Sequence, residues 1–271
     1  MTALPETTAL ETGLEKGWLT IWFNLPESRN ALSAELTADL RAVLDAVRED
    51  RGVRGITLRG RGGVFCAGGD LKAFSAGFGA EGDAARAAIV DMSKSGAAIF
   101  DTVNSMPQVV IAVVEGAAMA GGLGLACCAD VAIADAGAKF AFTETAIGLT
   151  PAQIAPFVIQ KAGYATARRL MLTAACFKGA AAQTLGLVDF VADGAAALDE
   201  LEAGIRQQVL GCAPGAVADI KQLILDLPTL DRSAQIAAAA ENFAGRLLSE
   251  EGQEGVLSFI EKRKPSWAEE D

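Results

Sequence analysis

Val109-Val110-Ile111-Ala112-Val113-Val114-Glu115-Gly116-Ala117-Ala118-Met119-Ala120-Gly121-Gly122-Leu123-Gly124-Leu125-Ala126-Cys127-Cys128 is the stretch on which the fold turns. Its first six residues are an uninterrupted apolar run, the pattern of a strand covered on both faces. A passage of small residues then enters a second apolar run that reads as a buried helix, and Val131 to Ala134 reads as a further strand. Strand, helix and strand in that order predict an α/β core.

Upstream, Trp18 to Phe23 reads as a strand with Leu19, Ile21 and Phe23 on one face, broken by Leu25-Pro26-Glu27-Ser28. Ser33 has the place of an N-cap for a helix to about Asp50, since Leu36, Leu40, Val43, Leu44 and Val47 recur at helical spacing behind it. Ile56 and Leu58 suggest a second strand, and residues 83–105 a helix. Helices are expected from about Ala152, and from about Ala195 the pattern is wholly helical, punctuated by Pro214 and Pro228. The chain therefore divides into a disordered N terminus (1–12), a core (13–195) and a helical C-terminal region (196–271), with fraying after Trp267. Two strand-and-helix units, each ending in a glycine-rich turn, point to a repeated spiral layout.

The 271 residues are 51% apolar, enough to bury a substantial core. Lysine and arginine total 23 against 34 aspartates and glutamates, and the net charge of −11 disfavours nucleic acid and anionic membranes as partners. No stretch reaches the roughly 18 uncharged apolar residues of a membrane span, and the first dozen residues lack a signal-peptide layout. Five cysteines without a C-x-x-C pair read as buried free thiols in a reducing cytoplasm. There is no histidine. Ser-His-Asp and Cys-His nucleophile pairs are thereby excluded, as are the usual zinc ligands. Proton transfer is left to carboxylates, lysine, cysteine, Tyr164 or water. Nothing suggests a metal, flavin or nicotinamide.

Two glycine-rich turns are the strongest local signals, Gly60 to Asp70 and Gly121-Gly122-Leu123-Gly124. Small residues let a backbone approach a ligand, and a turn entering a helix leaves its first N–H groups unpaired. Such glycines equally serve close packing of a helix on a sheet, and both readings stand. A dinucleotide fingerprint fails because Cys127 stands where the third glycine belongs. Glu144 lies among apolar and small residues, where desolvation raises a carboxyl pKa toward that of a general base; the alternative is a helix-start glutamate satisfying backbone donors. Asp70, after a glycine turn, reads as a helix cap, and Arg29 and Lys72 read as solvated surface charges.

Taken together, these motifs resemble the crotonase (enoyl-CoA hydratase/isomerase) family along nearly the whole chain. Pro26 to Ser33 resembles its early loop and helix start, and Phe65-Cys66-Ala67-Gly68-Gly69-Asp70-Leu71-Lys72 resembles its F-x-A-G-x-D turn. Glu115 to Asp130 resembles its second glycine-rich turn and helix. Phe140 to Pro151 and Phe259 to Pro265 match as well. The resemblance implies a spiral of ββα units with a helical C-terminal region that forms a trimer, or two trimers paired into a hexamer. It places the N–H groups of Gly69 and Gly121 around the oxygen of an acyl-CoA thioester, with Glu144 as the proton carrier. Arg29, Ala31, Ala67, Asp70, Leu71, Lys72 and Gly122 are implied to bind substrate and coenzyme A, and Lys262 and Lys264 the nucleotide of a neighbouring subunit. Coenzyme A enters with the substrate, so no separate cofactor is implied.

The sequence departs from the well-known hydratases at Gly124, where they carry a second glutamate. One glutamate suffices to move a proton between two carbons, so a double-bond isomerase stands beside a hydratase. A catalytically silent acyl-CoA-binding or assembly protein is a third reading. Gly148-Leu149-Thr150-Pro151-Ala152-Gln153-Ile154-Ala155-Pro156-Phe157 resembles hydratases of methylglutaconyl- and isohexenylglutaconyl-type thioesters and favours hydration of a branched substrate. Lys161, Arg168 and Arg169 are the candidates to pair with the second carboxylate of such a substrate.

Overall fold

The computed structural model of the chain describes residues 3–75, 79 and 81–268. It opens with a hairpin in which β1 (Leu10–Glu15) pairs antiparallel with β2 (Trp18–Phe23). Lys16 and Gly17 form the two-residue turn, both at positive φ (47° and 72°), as the twist of a tight hairpin demands. The hairpin and the packing before it correct the expected disorder of residues 1–12 over residues 3–12, residues 1 and 2 lying outside the described residues. Ala9 and Leu10 are buried, and Asp39 accepts the N–H groups of Thr8 and Ala9, each at 2.9 Å.

Helix α1 (Ala34–Val47) begins where its cap predicts, Ser33 Oγ accepting the Leu36 N–H at 3.1 Å. Its five spaced apolar residues are fully buried, each worth about 1.5–3 kcal/mol relative to exposure. The elements that follow are β3 (Gly55–Gly60), α2 (Leu71–Ser75), α3 (Asp83–Asn104), β4 (Val109–Val114), β5 (Ala117–Met119), α4 (Gly121–Cys128), β6 (Val131–Asp135) and β7 (Lys139–Ala141). After these come α5 (Ala155–Ala162), α6 (Tyr164–Thr173), β8 (Phe177–Lys178), α7 (Gly179–Thr184) and β9 (Phe190–Ala192). The chain closes with α8 (Ala195–Leu210), α9 (Pro214–Asp226), α10 (Arg232–Leu248) and α11 (Glu250–Glu261). Two short strands thus interrupt a region expected to be helical, because β8 and β9 are defined by their partners rather than by their own pattern.

A six-stranded sheet runs β1-β2-β3-β4-β6-β9, parallel except for the first hairpin, and a small sheet runs β5-β7-β8. The chain visits both in turn. β4 is followed by β5 and α4, β6 by β7, and β3 by the segment of Cys66, which bridges Ala118 of β5. Each circuit lays one strand in each layer and a helix outside, which is the expected spiral of ββα units.

The apolar run that defined the core is buried on both sides. Val110, Ala112 and Val114 of β4 belong to the main core, whereas Ile111 and Val113 pack with Trp18, Ile133 and, from α8, Leu198 and Ile205. Between α8 and the sheet lies a polar layer. Thr57 Oγ1 donates to Glu202 Oε1 at 2.6 Å and accepts from Trp18 Nε1 at 2.9 Å. Arg206 pairs with the same carboxylate, donates to Thr20 at 3.0 Å and sits 5.1 Å above the Trp18 ring. Arg59 reaches Asp199 at 2.6 Å and Glu115 at 2.9 Å. No helix among the described residues is long and apolar enough to cross a membrane.

Glu202 is 3% exposed and ties both arginines and Thr57 together. Its replacement by alanine takes from Arg206 its one carboxylate among the described residues and from the Thr57 hydroxyl its acceptor, and a loss of roughly 3–5 kcal/mol is expected. Thermal melting checks this, with a fall in Tm of roughly 6 °C or more for a chain of this size; an unshifted melt would contradict the network's role.

Candidate active site

Three neighbouring segments run parallel and end at the same edge. Cys66 donates its N–H to Ala117 O at 3.1 Å and accepts from Met119 N at 3.0 Å. Met119 stands beside Ala141 in the β5–β7 pair, and Ala120 N–H continues that ladder to Ala141 O at 2.8 Å. Past these ends lie Ala67 to Asp70, Ala120 to Gly122, and Phe142 to Glu144. Ligands of α/β folds gather at such carboxyl ends of parallel strands. The early loop joins them, Ala67 N–H donating to Arg29 O at 3.0 Å and Leu32 N–H to Gly68 O at 2.8 Å.

The two glycine turns touch. Gly68 has φ +95°, and a Cβ there would stand 2.7 Å from Ala120 Cβ and 3.4 Å from Gly121 N. Only glycine meets both demands. A Cβ on Gly121 would in turn lie 3.9 Å from Gly69 N. The amides of Gly69 and Gly121 are therefore side by side, and no acceptor among the described residues takes either N–H. Ala120 directs the second amide from φ 51°, ψ −124°, a conformation that costs a residue other than glycine about 1–3 kcal/mol. The walls are apolar: Leu32 Cδ1 and Phe100 Cζ stand 3.1 and 3.7 Å from a Cβ placed on Gly121, and Phe74 Cζ 2.9 Å from one placed on Gly69.

Glu144 opens a 3-10 turn just beyond β7, anchored by the fully buried Phe140 and Phe142. The residue is half-buried, and its Oε2 is shielded from water without a hydrogen-bond partner among the described residues. Burial raises its pKa above the ordinary carboxyl value, opposed by a bond from its own backbone N–H. A carboxyl of raised pKa with one uncommitted oxygen, delivered at the same strand edge as two uncommitted amides, suits removal of a proton next to a carbonyl.

A family profile described as enoyl-CoA hydratase/isomerase matches residues 13–270. The chain belongs to that family, the crotonases. It is 35% identical to a putative enoyl-CoA hydratase of Thermus thermophilus over 93% of this chain and 98% of the relative. Among solved structures, Pseudomonas aeruginosa AtuE is 44% identical with a TM-score of 0.91, covering 97% of this chain and all of the other. An enoyl-CoA hydratase/isomerase from Marinobacter aquaeolei is 37% identical with a TM-score of 0.92, over 96% and 99% of the two chains. The activity is accordingly of the enoyl-CoA hydratase/isomerase type, and an acyl-CoA thioester is the matching substrate class.

Within this crotonase the other expected residues divide. Arg29, Ala31 and Ala67 are drawn together by the early loop. Asp70 caps α2, Oδ1 accepting the N–H groups of Lys72 at 3.0 Å and Ala73 at 3.2 Å, while Leu71 and Lys72 are exposed. Gly122 is buried against Cys66, whose Cβ and Sγ would lie 2.7 and 2.9 Å from a Cβ at 122, so its glycine is a packing requirement. Lys262 and Lys264 stay exposed after α11, and no described contact joins them to the glycine turns. Burial pushes the Cys66 thiol up to about 12, opposed by the Gly68 N–H, which disqualifies it as a nucleophile. Cys127 and Cys128 are buried too, but Cys176 and Cys212 are exposed, against the expectation of buried thiols throughout. Among the described residues no cluster of three or more cysteines, aspartates and glutamates could hold a metal ion.

Three residues of the site escape sequence reasoning. Asn30, fully buried at φ 55°, accepts Leu25 N–H at 2.9 Å and donates to Arg61 O and Val64 O at 3.0 and 2.7 Å, fastening the early loop to the first glycine turn. Asparagine's tolerance of left-handed turns was a signal for it. Ala120 carried none. Ile154 fills the space beside Gly124: a Cβ there would run into Ile154 Cγ2, with Cβ 2.6 Å and Cδ1 3.0 Å away. A cavity of about 380 Å³ lies at the far end of α4, where Lys161 bonds Asp189 at 2.8 Å and Lys221 bonds Asp130 at 2.6 Å. Lys161 is thus already neutralised, while Arg168 and Arg169 are exposed on α6.

Gly68→Ala adds a methyl at a positive φ against Ala120 and is expected to cost roughly 2–6 kcal/mol. Ala120→Gly relieves its own φ and should leave Tm unchanged or higher. Melting curves of the two variants check the contact, and a wild-type Tm for Gly68→Ala would contradict it.

Proposed function

We propose that the protein adds water to, or removes it from, the 2,3 double bond of an acyl-CoA thioester, with Glu144 as general base and the Gly69 and Gly121 amides as oxyanion hole. The observation that carries this is the pair of adjacent N–H groups, unpartnered among the described residues, at the strand ends that also deliver a glutamate with one unpartnered oxygen and a raised pKa. In the hydration direction Glu144 takes a proton from water while the water oxygen bonds to the β-carbon. The electron pair of the double bond moves to the thioester oxygen, where the two amides hold it as an enolate. The α-carbon then collects a proton from Glu144 or from water, giving the 3-hydroxyacyl thioester. Losing one such amide typically costs about 3–4 kcal/mol of transition-state stabilisation. A glutaconyl-type acyl group is supported by the resemblance of Pro151 to Phe157, and a hydrocarbon branch on it by the apolar walls of Leu32, Phe74 and Phe100.

The closure of position 124 by Ile154 favours a second reading, in which Glu144 alone carries a proton between the α- and γ-carbons as an isomerase. Incubation of 2-enoyl and 3-enoyl thioesters in ¹⁸O-labelled water separates the two. Incorporated label supports hydration, and migration of the double bond without label overturns it. We also infer a homotrimer, or a pair of trimers, from the apolar side chains that α10 and α11 leave exposed in the single chain, among them Phe243, Leu248, Phe259 and Ile260. A monomer by light scattering would contradict this.

Glu144→Gln should lower kcat by roughly 10²–10⁴-fold and abolish the acid limb of the pH profile. In the parent that limb should lie above the range of an ordinary carboxyl, since the base must be ionised and burial raises its pKa. The same shift makes the ionised carboxyl destabilising above its unfolded pKa. Glu144→Gln should therefore melt no lower than the parent at neutral pH, and any gain should vanish in acid. Unchanged turnover would remove Glu144 from the mechanism.

A further inference from the structure

Position 124 lies three residues beyond Gly121, just under one helical turn, so the two share a face of α4 about 4.5 Å apart along its axis. A side chain at 124 would project beside the space served by the Gly121 amide. That direction is occupied. Ile154 is 3% exposed and packs directly on the Gly124 Cα, leaving no room even for a methyl group.

Ile154 is not free to withdraw. Its carbonyl accepts the Val158 N–H at 3.1 Å in the first turn of α5, and its neighbour Gln153 donates to Ser93 Oγ of α3 at 2.8 Å. Phe157, next on α5, pairs its ring with Phe100 at 6.3 Å between centroids, and Phe100 is one of the walls at Gly121. The Ile154 segment is therefore tied to α3 on both sides of the residue.

We propose that Ile154 is a specificity-determining residue. It bars position 124 to any side chain and puts hydrocarbon where a second polar group would otherwise face the acyl chain. Hydrocarbon then lines the α4 side of the β-carbon, where it favours an apolar branch on the substrate over a polar one. This deepens the proposed hydratase reading and rests on it for its substrate.

Melting curves of the full chain, as parent, Gly124→Ala, Ile154→Gly and the double variant, test the contact without any substrate. Glycine is tolerated at 154 because the residue holds the N-cap position of α5. Each single variant should melt lower than the parent. The double variant should melt roughly 2 °C or more above the value that adding the two losses gives; strict additivity would overturn the contact. For specificity, Gly124→Glu/Ile154→Gly and Ile154→Gly are assayed with an unbranched and a 3-methyl-branched 2-enoyl thioester. The ratio of kcat/KM for unbranched over branched substrate should rise about tenfold or more in both, and an unchanged ratio would overturn the assignment. Should the glutamate variant fail to fold, Ile154→Val and Ile154→Gly supply the same ratio. Turnover of neither thioester by the parent would refute the hydratase reading and the specificity with it, while the melting cycle would still decide the packing.

Discussion

The contact of Gly68 with Ala120 is the constraint on which the site depends. Two turns from different circuits of the spiral meet so closely that one must lack a side chain and the other must hold a left-handed backbone. Their meeting places the Gly69 and Gly121 amides next to each other, although the residues are remote in sequence. The strand pairing behind the turns makes the approach rigid. Cys66 bonds β5 through both its N–H and its carbonyl, and β5 bonds β7, so the three segments that end at the site cannot shift independently.

Burial supplies the other half of the chemistry. The phenylalanines on either side of Ala141 hold the chain against the core, so that Glu144 emerges with one oxygen shut away from water and unbonded. A carboxyl so placed holds its proton more firmly than a solvated one. On the opposite face of the large sheet the charged groups are treated differently. Glu202 is more deeply buried than Glu144, yet its Oε1 accepts from Thr57 and Arg206 and its Oε2 from Arg59. The fold thus keeps paired charge under α8, where it joins a helix to the sheet, and leaves a carboxyl oxygen unpaired among the described residues at the candidate site.

Elements that carry their own pattern were legible in the sequence. The Ser33 cap and the helical spacing from Leu36 to Val47 placed α1, and the unbroken run from Val109 to Val114 announced a strand covered twice. The strands that were missed have no such pattern. β5, β7, β8 and β9 span only two or three residues each and exist through pairing with distant partners. β1 alternates too weakly to be seen, and it is fixed by β2 and by Asp39. At the candidate site, the glycine turns and Glu144 stand out in the sequence because residue type and setting both mark them. Ile154 looked like any apolar residue before a helix, and its part is set by a distance across the fold that no local signal encodes.

The packing of Ile154 on Gly124 also constrains descent. The two positions lie on separate segments, so each holds the other to its present residue. A lineage that enlarged residue 124 first would meet a clash, and one that trimmed residue 154 first would open a hole in the core. Either first step spends stability before any new chemistry appears, and only an ancestor with a reserve could survive it. Chains with glycine here should therefore stay glycine over long spans of divergence, kept in place by the neighbour as much as by the reaction.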